Sequence, residues 1–437
     1  MNPLRRGACP GIADPMLTGD GLLARLIPRA PIPLDTFVAL CDAARTHGNG
    51  VVEVTQRGSL QIRGLSSQSA IEFARAVTAL DLGDPVGPPI LTSPLFGSDA
   101  DQTDLATLLA DLQAKFAAGA VTGLGPKVSV LLDGGGKLHL DEVSGDLRLR
   151  ATPAGFNLSI GGKAATSVSL GWMRPHHAVQ ATMEVLTRIA NRGSHARARD
   201  FANDLDIRAL RESLVGVLAD GPPPASRAPA EPLGIHRLRN GQVALGVALA
   251  FGYADTLALE RLVLAVRQSG ATAIRPTPGR ALLIMNLDAG AAQELATTLT
   301  AHGLIVTSDD ARRYVVACAG APACASAALS TRQLAPAIAE AAKPFLGGAT
   351  TIHVSGCAKG CAHPGAAALT LIGPDRIVVQ GRASDTPHGT ISPAHLIAGL
   401  WRLRTQTITS QPREAGTTML TRFSAKHIVE SLGGKPL

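Results

Sequence analysis

Two stretches of the chain decide its fold: ALCDAARTHGNGVVEVTQRGSLQI at residues 39–62 and RLVLAVRQSGATAIRPTPGRALLI at residues 261–284. They align without gaps from the first position of each stretch to the last. Each predicts an amphipathic helix that stops at a glycine, Gly48 or Gly270, and then two short strands around a turn that begins with threonine. An apolar strand, GLLARLIPR or GQVALGVAL, precedes each helix. A β-α-β-β unit therefore occurs twice, and gene duplication is the economical explanation.

The remainder of each half also alternates strands and helices. Apolar alternation predicts strands within 127–136, 145–162 and 351–357, and helical periodicity predicts helices at 181–193 and 334–346. The run GPPPASRAPAEP at 221–232 sustains neither a helix nor a central strand, and it divides the chain almost in half. The sequence thus predicts an α+β architecture in two pseudo-symmetric halves.

Composition excludes several classes of protein. With 437 residues the chain is longer than one hydrophobic core usually supports, so we expect more than one domain. Its composition, with 46% hydrophobic and 17% charged residues, is typical of a folded protein. No apolar run approaches the roughly 18–20 residues of a membrane helix. Arg5 and Arg6 precede Cys9 without an apolar segment between them, which does not make an export signal, so we expect a cytoplasmic protein.

The net charge of +7 comes mostly from arginine, with 33 Arg against 8 Lys. These arginines are dispersed along the chain and form no basic tail, which argues against a nucleic-acid partner. Scattered guanidinium groups suit a ligand with many carboxylates, because their planar fork matches a carboxylate. A genome that favours arginine codons explains the same composition.

Four of the six cysteines form two tight pairs. Cys318 and Cys324 are separated by five residues in ACAGAPACASA, and Cys357 and Cys361 by three in HVSGCAKGCAHP. Thiolates are soft ligands for iron–sulfur clusters or zinc. Zinc sites usually show spacings of two to four residues, and the surrounding Gly and Ala allow backbone amides to approach a cluster. The pattern favours a [4Fe–4S] cluster over zinc, and Cys41 on an apolar helix face is predicted to be a core thiol.

These residues resemble the nitrite/sulfite reductase superfamily over roughly 15–405. In that superfamily four cysteines in this pattern hold a [4Fe–4S] cluster, and the last of them, here Cys361, bridges to siroheme iron. TQRGSLQIRGL (55–65) looks like the family's Thr-x-Arg motif, which implies that Arg57 and Gln61 bind tetrapyrrole carboxylates. GPKVSV resembles its Pro-x-Lys segment, which makes Lys127 a further ligand.

The chain departs from the siroheme-binding pattern at two places. Siroheme reductases usually have a second lysine where this chain has Ser129, and an Arg-Asn pair where it has Pro88 and Pro89. Two cationic contacts to siroheme are missing, so the comparison argues against siroheme as a fixed cofactor.

Within the superfamily, RRGACPG, MLTGDGLLARL, LDGGG and HVSGCAKGCAHPGAAALTLIG are most similar to the precorrin-3B synthase branch. That resemblance implies an iron–sulfur monooxygenase of aerobic cobalamin biosynthesis, which hydroxylates precorrin-3A at C20 with O2 and closes the ring A acetate as a γ-lactone. The substrate is a relative of siroheme and would occupy the reductase cofactor pocket.

The resemblance also implies a mononuclear non-haem iron, but no two-His-one-carboxylate triad is visible from spacing. His353 and His363 flank the cluster cysteines and are candidates by proximity, although such a histidine is more often structural. Lys359, between Cys357 and Cys361, is a candidate substrate contact or a solvated lysine. Asp133-Gly134-Gly135-Gly136 lacks dinucleotide spacing, so we expect electrons from an external donor. No catalytic acid or base can be named.

The resemblance further implies six segments. They are an N-terminal segment with the first ferredoxin-like repeat (1–85), a first reductase-like α/β domain (86–220), the Pro-rich linker (221–232), a second ferredoxin-like repeat (233–300), a second reductase-like domain with the cluster (301–405) and a C-terminal tail (406–437).

Two other functions compete with the monooxygenase. A siroheme-dependent nitrite or sulfite reductase would use the same cluster and would contain siroheme. A non-enzymatic electron carrier or zinc-stabilised binding module would contain metal and show no turnover.

Overall fold

A computed structural model describes residues 10–83, 86–201, 203–348, 350–408 and 423–437. Cys9 lies outside the described residues. Along these ranges the chain forms four sheets flanked by helices. This mixed architecture confirms the predicted α+β class.

The first ferredoxin-like unit follows the β-α-β-β order that the sequence predicts, with a further helix at its end. Its elements are β1 (Met16–Thr18), β2 (Gly21–Leu26), β3 (Ile32–Pro33), α1 (Leu34–His47), β4 (Val51–Val54), β5 (Leu60–Leu65) and α2 (Ser67–Ala79). Ser66 caps α2 by accepting from the Ser69 amide at 3.0 Å, which satisfies one of the first free amides of the helix.

A five-stranded α/β domain comes next. It contains β6 (Ile90–Thr92), α3 (Ala106–Ala117), β7 (Val130–Asp133), β8 (Leu147–Thr152), β9 (Gly155–Ile160), β10 (Val168–Met173), α4 (Ala178–Asn191) and α5 (Asp204–Glu212). β6, β7 and β8 run parallel, and β9 and β10 extend the sheet in antiparallel fashion.

The second ferredoxin-like unit repeats the first in the alignment found in the sequence. It contains β11 (Gly234–Arg237), β12 (Val243–Ala248), β13 (Tyr253–Asp255), α6 (Thr256–Gln268), β14 (Ala273–Thr277), β15 (Ala281–Leu287) and α7 (Ala289–Ala301). When the alignment is continued in both directions, β12 falls on β2 and α7 falls on α2, each with the same length. The duplication therefore extends through the whole unit.

The fourth sheet belongs to the C-terminal part of the chain. The strands of this sheet and the helices that flank it are β16 (Val315–Ala317), α8 (Thr331–Ala342), β17 (Ile352–Ser355), β18 (Ala367–Ile372), β19 (Arg376–Gly381), β20 (Gly389–Thr390), α9 (Pro393–Ile408), α10 (Ala425–Leu432) and β21 (Lys435–Pro436). As in the second sheet along the chain, three strands run parallel and the next two antiparallel. The two reductase-like domains thus share one topology.

The two ferredoxin-like sheets exchange their edge strands. β13 of the second half pairs with β4, so that the first sheet has the order β1-β2-β5-β4-β13. β3 of the first half pairs with β14, which gives the order β11-β12-β15-β14-β3. β3 and β13 occupy equivalent positions in the duplicated sequence, so the exchange is reciprocal.

One apolar core spans both ferredoxin-like units. It buries Phe37 and Phe73 of the first half together with Leu262 and Val266 of the second. A smaller apolar cluster lies between the β11–β15 sheet and the first α/β domain, and it includes Leu95, Leu138, Leu283 and Met285. Each ferredoxin-like sheet therefore faces helices on one side and an α/β domain on the other.

Residues 423–437, which belong to the predicted tail 406–437, contribute to the fourth sheet. β21 pairs with β20, and Ile428, Val429 and Leu432 of α10 are buried in the core of that domain. The spacing of these apolar residues places them on one face of α10, which packs against the domain. The other predicted domain boundaries stay predictions. Within the described ranges, no helix has the length and apolarity that crossing a membrane requires.

Candidate functional site

The two cysteine pairs follow neighbouring parallel strands. Cys318 comes directly after β16, and Cys357 lies two residues beyond the end of β17. β16 and β17 are paired in parallel. Their carboxyl ends therefore meet at the same edge of the sheet, where open α/β sheets bind their ligands. The fold brings the two cysteine motifs together there.

Backbone and side-chain contacts join the two cysteine loops. The Gly356 amide donates to Cys318 Sγ at 3.2 Å, and the Ala328 amide donates to the Gly356 carbonyl at 2.9 Å. Lys359 Nζ donates to Ser326 Oγ at 3.1 Å. Lys359 thus connects the second loop to the first.

The turn between β1 and β2 packs against Cys324. The Ala325 amide donates to the Gly19 carbonyl at 2.8 Å. A Cβ atom at Gly19 would lie only 2.3 Å from Cys324 Sγ. Glycine is therefore required for this close approach.

The chemistry of these thiols suits a multi-iron group. Burial raises the pKa of Cys361, and Cys357 and Cys318 raise it further. Neighbouring thiols ionise together only when a cationic acceptor shares their charge, as a metal does. In the described ranges, no three Cys, His, Asp or Glu side chains converge as ligands of a single ion. A [4Fe–4S] cluster does not need that convergence, because each thiolate binds a different iron.

The surroundings of Cys318 also suit a negatively charged group. Helix α8 begins at Thr331, whose hydroxyl donates to the Cys318 carbonyl at 2.7 Å. A helix N-terminus carries partial positive charge. Together with the Gly356 amide, it would stabilise thiolates and cluster sulfides.

A cavity of about 350 Å³ lies beside the cysteines. Its wall includes Cys318 and Cys361, four arginines (Arg25, Arg57, Arg63 and Arg280) and one acidic residue, Glu53. This excess of guanidinium groups favours an anionic ligand.

Arg57 and Gln61 both line this cavity. Arg57 Nη2 donates to Ser129 Oγ at 3.2 Å, so the serine at the position of the reductases' lysine contacts the motif arginine. With its amide oriented by its neighbours, Gln61 accepts from Arg25 Nη2 at 2.7 Å and donates to Glu53 Oε2 at 3.2 Å. Gln61 therefore orients Arg25 at the cavity wall.

Arg63 is held by a bidentate ion pair. Its Nε and Nη2 donate to the two Asp20 carboxylate oxygens at 2.7 and 2.8 Å. Burial alone would raise the pKa of Asp20, but the hydrogen bonds and charge of Arg63 leave it below its ordinary value. The same turn that approaches Cys324 thus fixes a cavity arginine.

Arg280 reaches the cavity from the β14–β15 hairpin. Its φ of 62° lies in the left-handed region, which is uncommon for a side chain of this size. Nη2 donates to the Ala362 carbonyl at 3.3 Å. Burial lowers the pKa of Arg280, although the charge of Glu53 raises it. Neither Arg280 nor Arg25 was predicted, because an arginine at a tight turn or within a strand carries no local sequence signal of function.

His353 and His363 lie behind the second cysteine loop, with ring centroids 5.6 Å apart. His353 is fully buried, and neither ring nitrogen has a hydrogen-bond partner among the described residues. Burial, followed by His363 and Arg280, lowers the pKa of His353 to about 3. Within the described ranges, no group of three His, Cys, Asp or Glu side chains converges there, so a role of these two histidines in binding a mononuclear iron stays a prediction.

Lys127 is exposed and stands outside the set of residues that line the cavity. Its role as a substrate ligand stays a prediction.

Cys41 is buried in the ferredoxin-like core, and burial raises its pKa to about 12.

Comparisons with known proteins agree with this geometry. Residues 16–80 match the family model of the nitrite/sulfite reductase ferredoxin-like half domain. A precorrin-3B synthase from Sinorhizobium sp is 37% identical over 97% of this chain and 94% of its own length. A ferredoxin–nitrite reductase from Synechococcus elongatus is 27% identical, covering 82% of this chain and 77% of its own.

Among solved structures, the NirA protein of Mycobacterium tuberculosis superposes with a TM-score of 0.73. The match covers 93% of this chain and 84% of NirA at 18% identity. This likeness confirms the predicted duplicated fold.

Proposed function

Because this chain belongs to the precorrin-3B synthase family, within the nitrite/sulfite reductase superfamily, we propose that it converts precorrin-3A to precorrin-3B. The reaction hydroxylates C20 with O2 and closes the ring A acetate as a γ-lactone. The chain is then an oxidoreductase of aerobic cobalamin biosynthesis. It works in the cytoplasm in this proposal.

One observation supports the proposal most directly: the two cysteine loops follow neighbouring strands at a sheet edge, and Cys318 and Cys361 line a cavity rich in arginine. A multi-carboxylate macrocycle needs cationic anchors, and its oxidation by O2 needs a source of single electrons. The cavity offers both to a ligand bound there.

The cysteine loops hold a [4Fe–4S] cluster in this proposal, through Cys318, Cys324, Cys357 and Cys361. Such a cluster supplies electrons one at a time when bound. The Gly356 amide orients Cys318, and Gly19 leaves room for Cys324.

Arg57 and Arg63 bind substrate carboxylates in the proposed complex, while Gln61 and Asp20 orient their neighbours. Asp20 keeps the guanidinium plane of Arg63 fixed through its two hydrogen bonds. A guanidinium group that is already oriented loses less conformational entropy when it binds a carboxylate.

Addition of one oxygen atom from O2 consumes two further electrons and two protons and releases water. An external donor supplies these electrons in our proposal. The described residues offer no triad for a mononuclear iron, and we derive no step through that metal.

A siroheme-dependent nitrite or sulfite reductase is the alternative, since relatives with those names match at lower identity. Ser129 favours the synthase, because siroheme reductases usually have a lysine at this position as a cationic contact to their cofactor, whereas here the serine hydroxyl accepts from Arg57.

Analysis of anaerobically purified protein tests the proposal. We expect at least about four irons per chain with acid-labile sulfide, and no siroheme absorption. With precorrin-3A, O2 and a reductant, the protein should form the hydroxylated lactone. Stoichiometric siroheme with nitrite- or sulfite-dependent oxidation of a reduced dye would establish the alternative.

A further inference from the structure

A second, smaller pocket lies on the other side of Arg57. Its volume is about 70 Å³, and its wall includes Arg29, Arg57 and Arg275, with Pro88 and Pro89. Roughly 10–15 Å³ of such space holds one water molecule, so the pocket accommodates a carboxylate arm and excludes a macrocycle. Among the described residues that line it, none is acidic.

Arg275 is the unusual member of this wall. It lies on β14 and is 8% exposed. Across the described ranges, the only hydrogen bond of its side chain goes from Nη2 to Thr92 Oγ1 at 3.0 Å, and no carboxylate pairs with it. Burial lowers its pKa to about 10. Burial of a cation without a counter-ion costs desolvation free energy. Binding of an anion beside Arg275 would offset that cost.

The two repeats carry residues of opposite charge at the position of Arg275. Its counterpart in the first half is Glu53, which pairs with Arg63 and Arg332 at the larger cavity. The second half therefore carries a cation where the first half carries an anion. Because the small pocket and the larger cavity share Arg57, an arm of a ligand in the cavity can extend past that residue.

We propose that Arg275, with Arg29 and Arg57, forms a carboxylate-binding pocket that receives one acidic side chain of the tetrapyrrole. This inference rests on the proposed function, because the macrocycle must occupy the larger cavity. The pocket chemistry itself, a carboxylate between guanidinium groups, does not depend on which macrocycle supplies it.

The first experiment uses acetate and the full-length protein. Thermal unfolding is followed in sodium acetate and in sodium chloride at equal ionic strength. Acetate should raise the Tm of the wild type and of Arg237→Met, in which an exposed arginine of the same sheet is replaced. It should not raise the Tm of Arg275→Met. If that variant does not fold, Arg275→Lys should show a reduced acetate effect.

The second experiment titrates precorrin-3A into the same proteins. Arg275→Met should weaken binding about tenfold to a hundredfold, as expected for one charge-assisted contact, while Arg237→Met should bind normally. An acetate effect that depends on Arg275, with unchanged precorrin-3A affinity, would identify free carboxylates as the occupant.

Failure of the pocket and failure of the proposed function give different results. Wild-type protein that does not bind precorrin-3A contradicts the function, and the acetate experiment still tests the pocket. Equal acetate shifts and equal precorrin-3A affinities in the wild type and Arg275→Met would overturn the inference.

Discussion

The cysteines of this chain differ in their surroundings as well as in their sequence spacing. Cys318 lies at the sheet edge beside the N-terminus of α8 and the Gly356 amide, whereas Cys41 packs inside an apolar core. Burial raises the pKa of Cys41 to about 12, which leaves its thiol neutral and unreactive. Cys318 therefore lies at the wall of a cavity, whereas Cys41 is enclosed by apolar side chains.

Replacement of Cys357 by alanine should remove one thiolate ligand and destabilise the cluster. We expect the iron content to fall well below about four per chain, as measured by metal and sulfide analysis of anaerobically purified protein. Cys41→Ala, the matched control, should keep its iron. Equal iron in the wild type and Cys357→Ala would show that the ligand assignment is wrong.

Arg57→Ala should weaken precorrin-3A binding, because it removes a charge-assisted carboxylate contact worth roughly 1.5–3 kcal/mol. That loss corresponds to about ten- to a hundredfold in affinity. The iron content should stay at the wild-type value, since Arg57 is not one of the four proposed cysteine ligands. An unaltered dissociation constant would contradict the role of this arginine.

The sequence predicted some residues of the site and not others for a physical reason. The spacing between paired cysteines is a local feature, so the pairs that contain Cys318 and Cys357 can be recognised from the sequence alone. Arg275 and Arg280 acquire their surroundings only when the second repeat packs against other elements. No local pattern predicts a buried cation without a counter-ion.

At the level of elements, the β1–β2 hairpin has two contacts with the site. Its turn places Gly19 against Cys324 and positions Asp20 to hold Arg63. Both contacts come from a segment near the opposite end of the sequence from the cysteines. The N-terminal repeat thus packs against the C-terminal loop that carries Cys324.

Gly19→Ala should disturb Cys324, because the new methyl group would lie 2.3 Å from its Sγ. Overpacking of this kind costs typically about 1–3 kcal/mol. We expect faster loss of iron to a chelator, followed by the decay of cluster absorption. Gly290→Ala, at a helical glycine with open space around it, should lose iron at the wild-type rate. Equal rates in all three proteins would mean that Gly19 does not support this ligand.

Element prediction worked best where periodicity is strong. The duplicated helices and the strands around them follow from apolar spacing, and the structure confirms them. β3 and β13 have two and three residues and were not predicted. A strand of that length has no periodicity, and only its pairing partner defines it.

At the level of the whole molecule, each half depends on the other for its sheets and its core. Phe37 of one half packs in the same core as Leu262 of the other. The linker also docks, since Arg227 pairs with Asp133 and Asp141 of the first half. The halves are therefore expected to fold as one unit.

Expression of residues 1–229 and 230–437 as separate chains tests this dependence. This division leaves Arg227 with its partners and Glu231 with Arg313. Each chain alone should be aggregated or unfolded, and coexpression should give a 1:1 complex on size-exclusion chromatography. A monomeric, cooperatively unfolding single half would contradict the expectation.

The reciprocal exchange of β3 and β13 has a consequence for ancestry. Two copies of one half that traded edge strands would form an isologous homodimer with two identical clefts. In such a homodimer every substitution appears twice, so the clefts cannot diverge. Fusion into one chain removed that constraint. Gln61 and Arg63 of the first half line the larger cavity. Their counterparts in the second half, Leu283 and Met285, are apolar and pack in a buried cluster at the equivalent place.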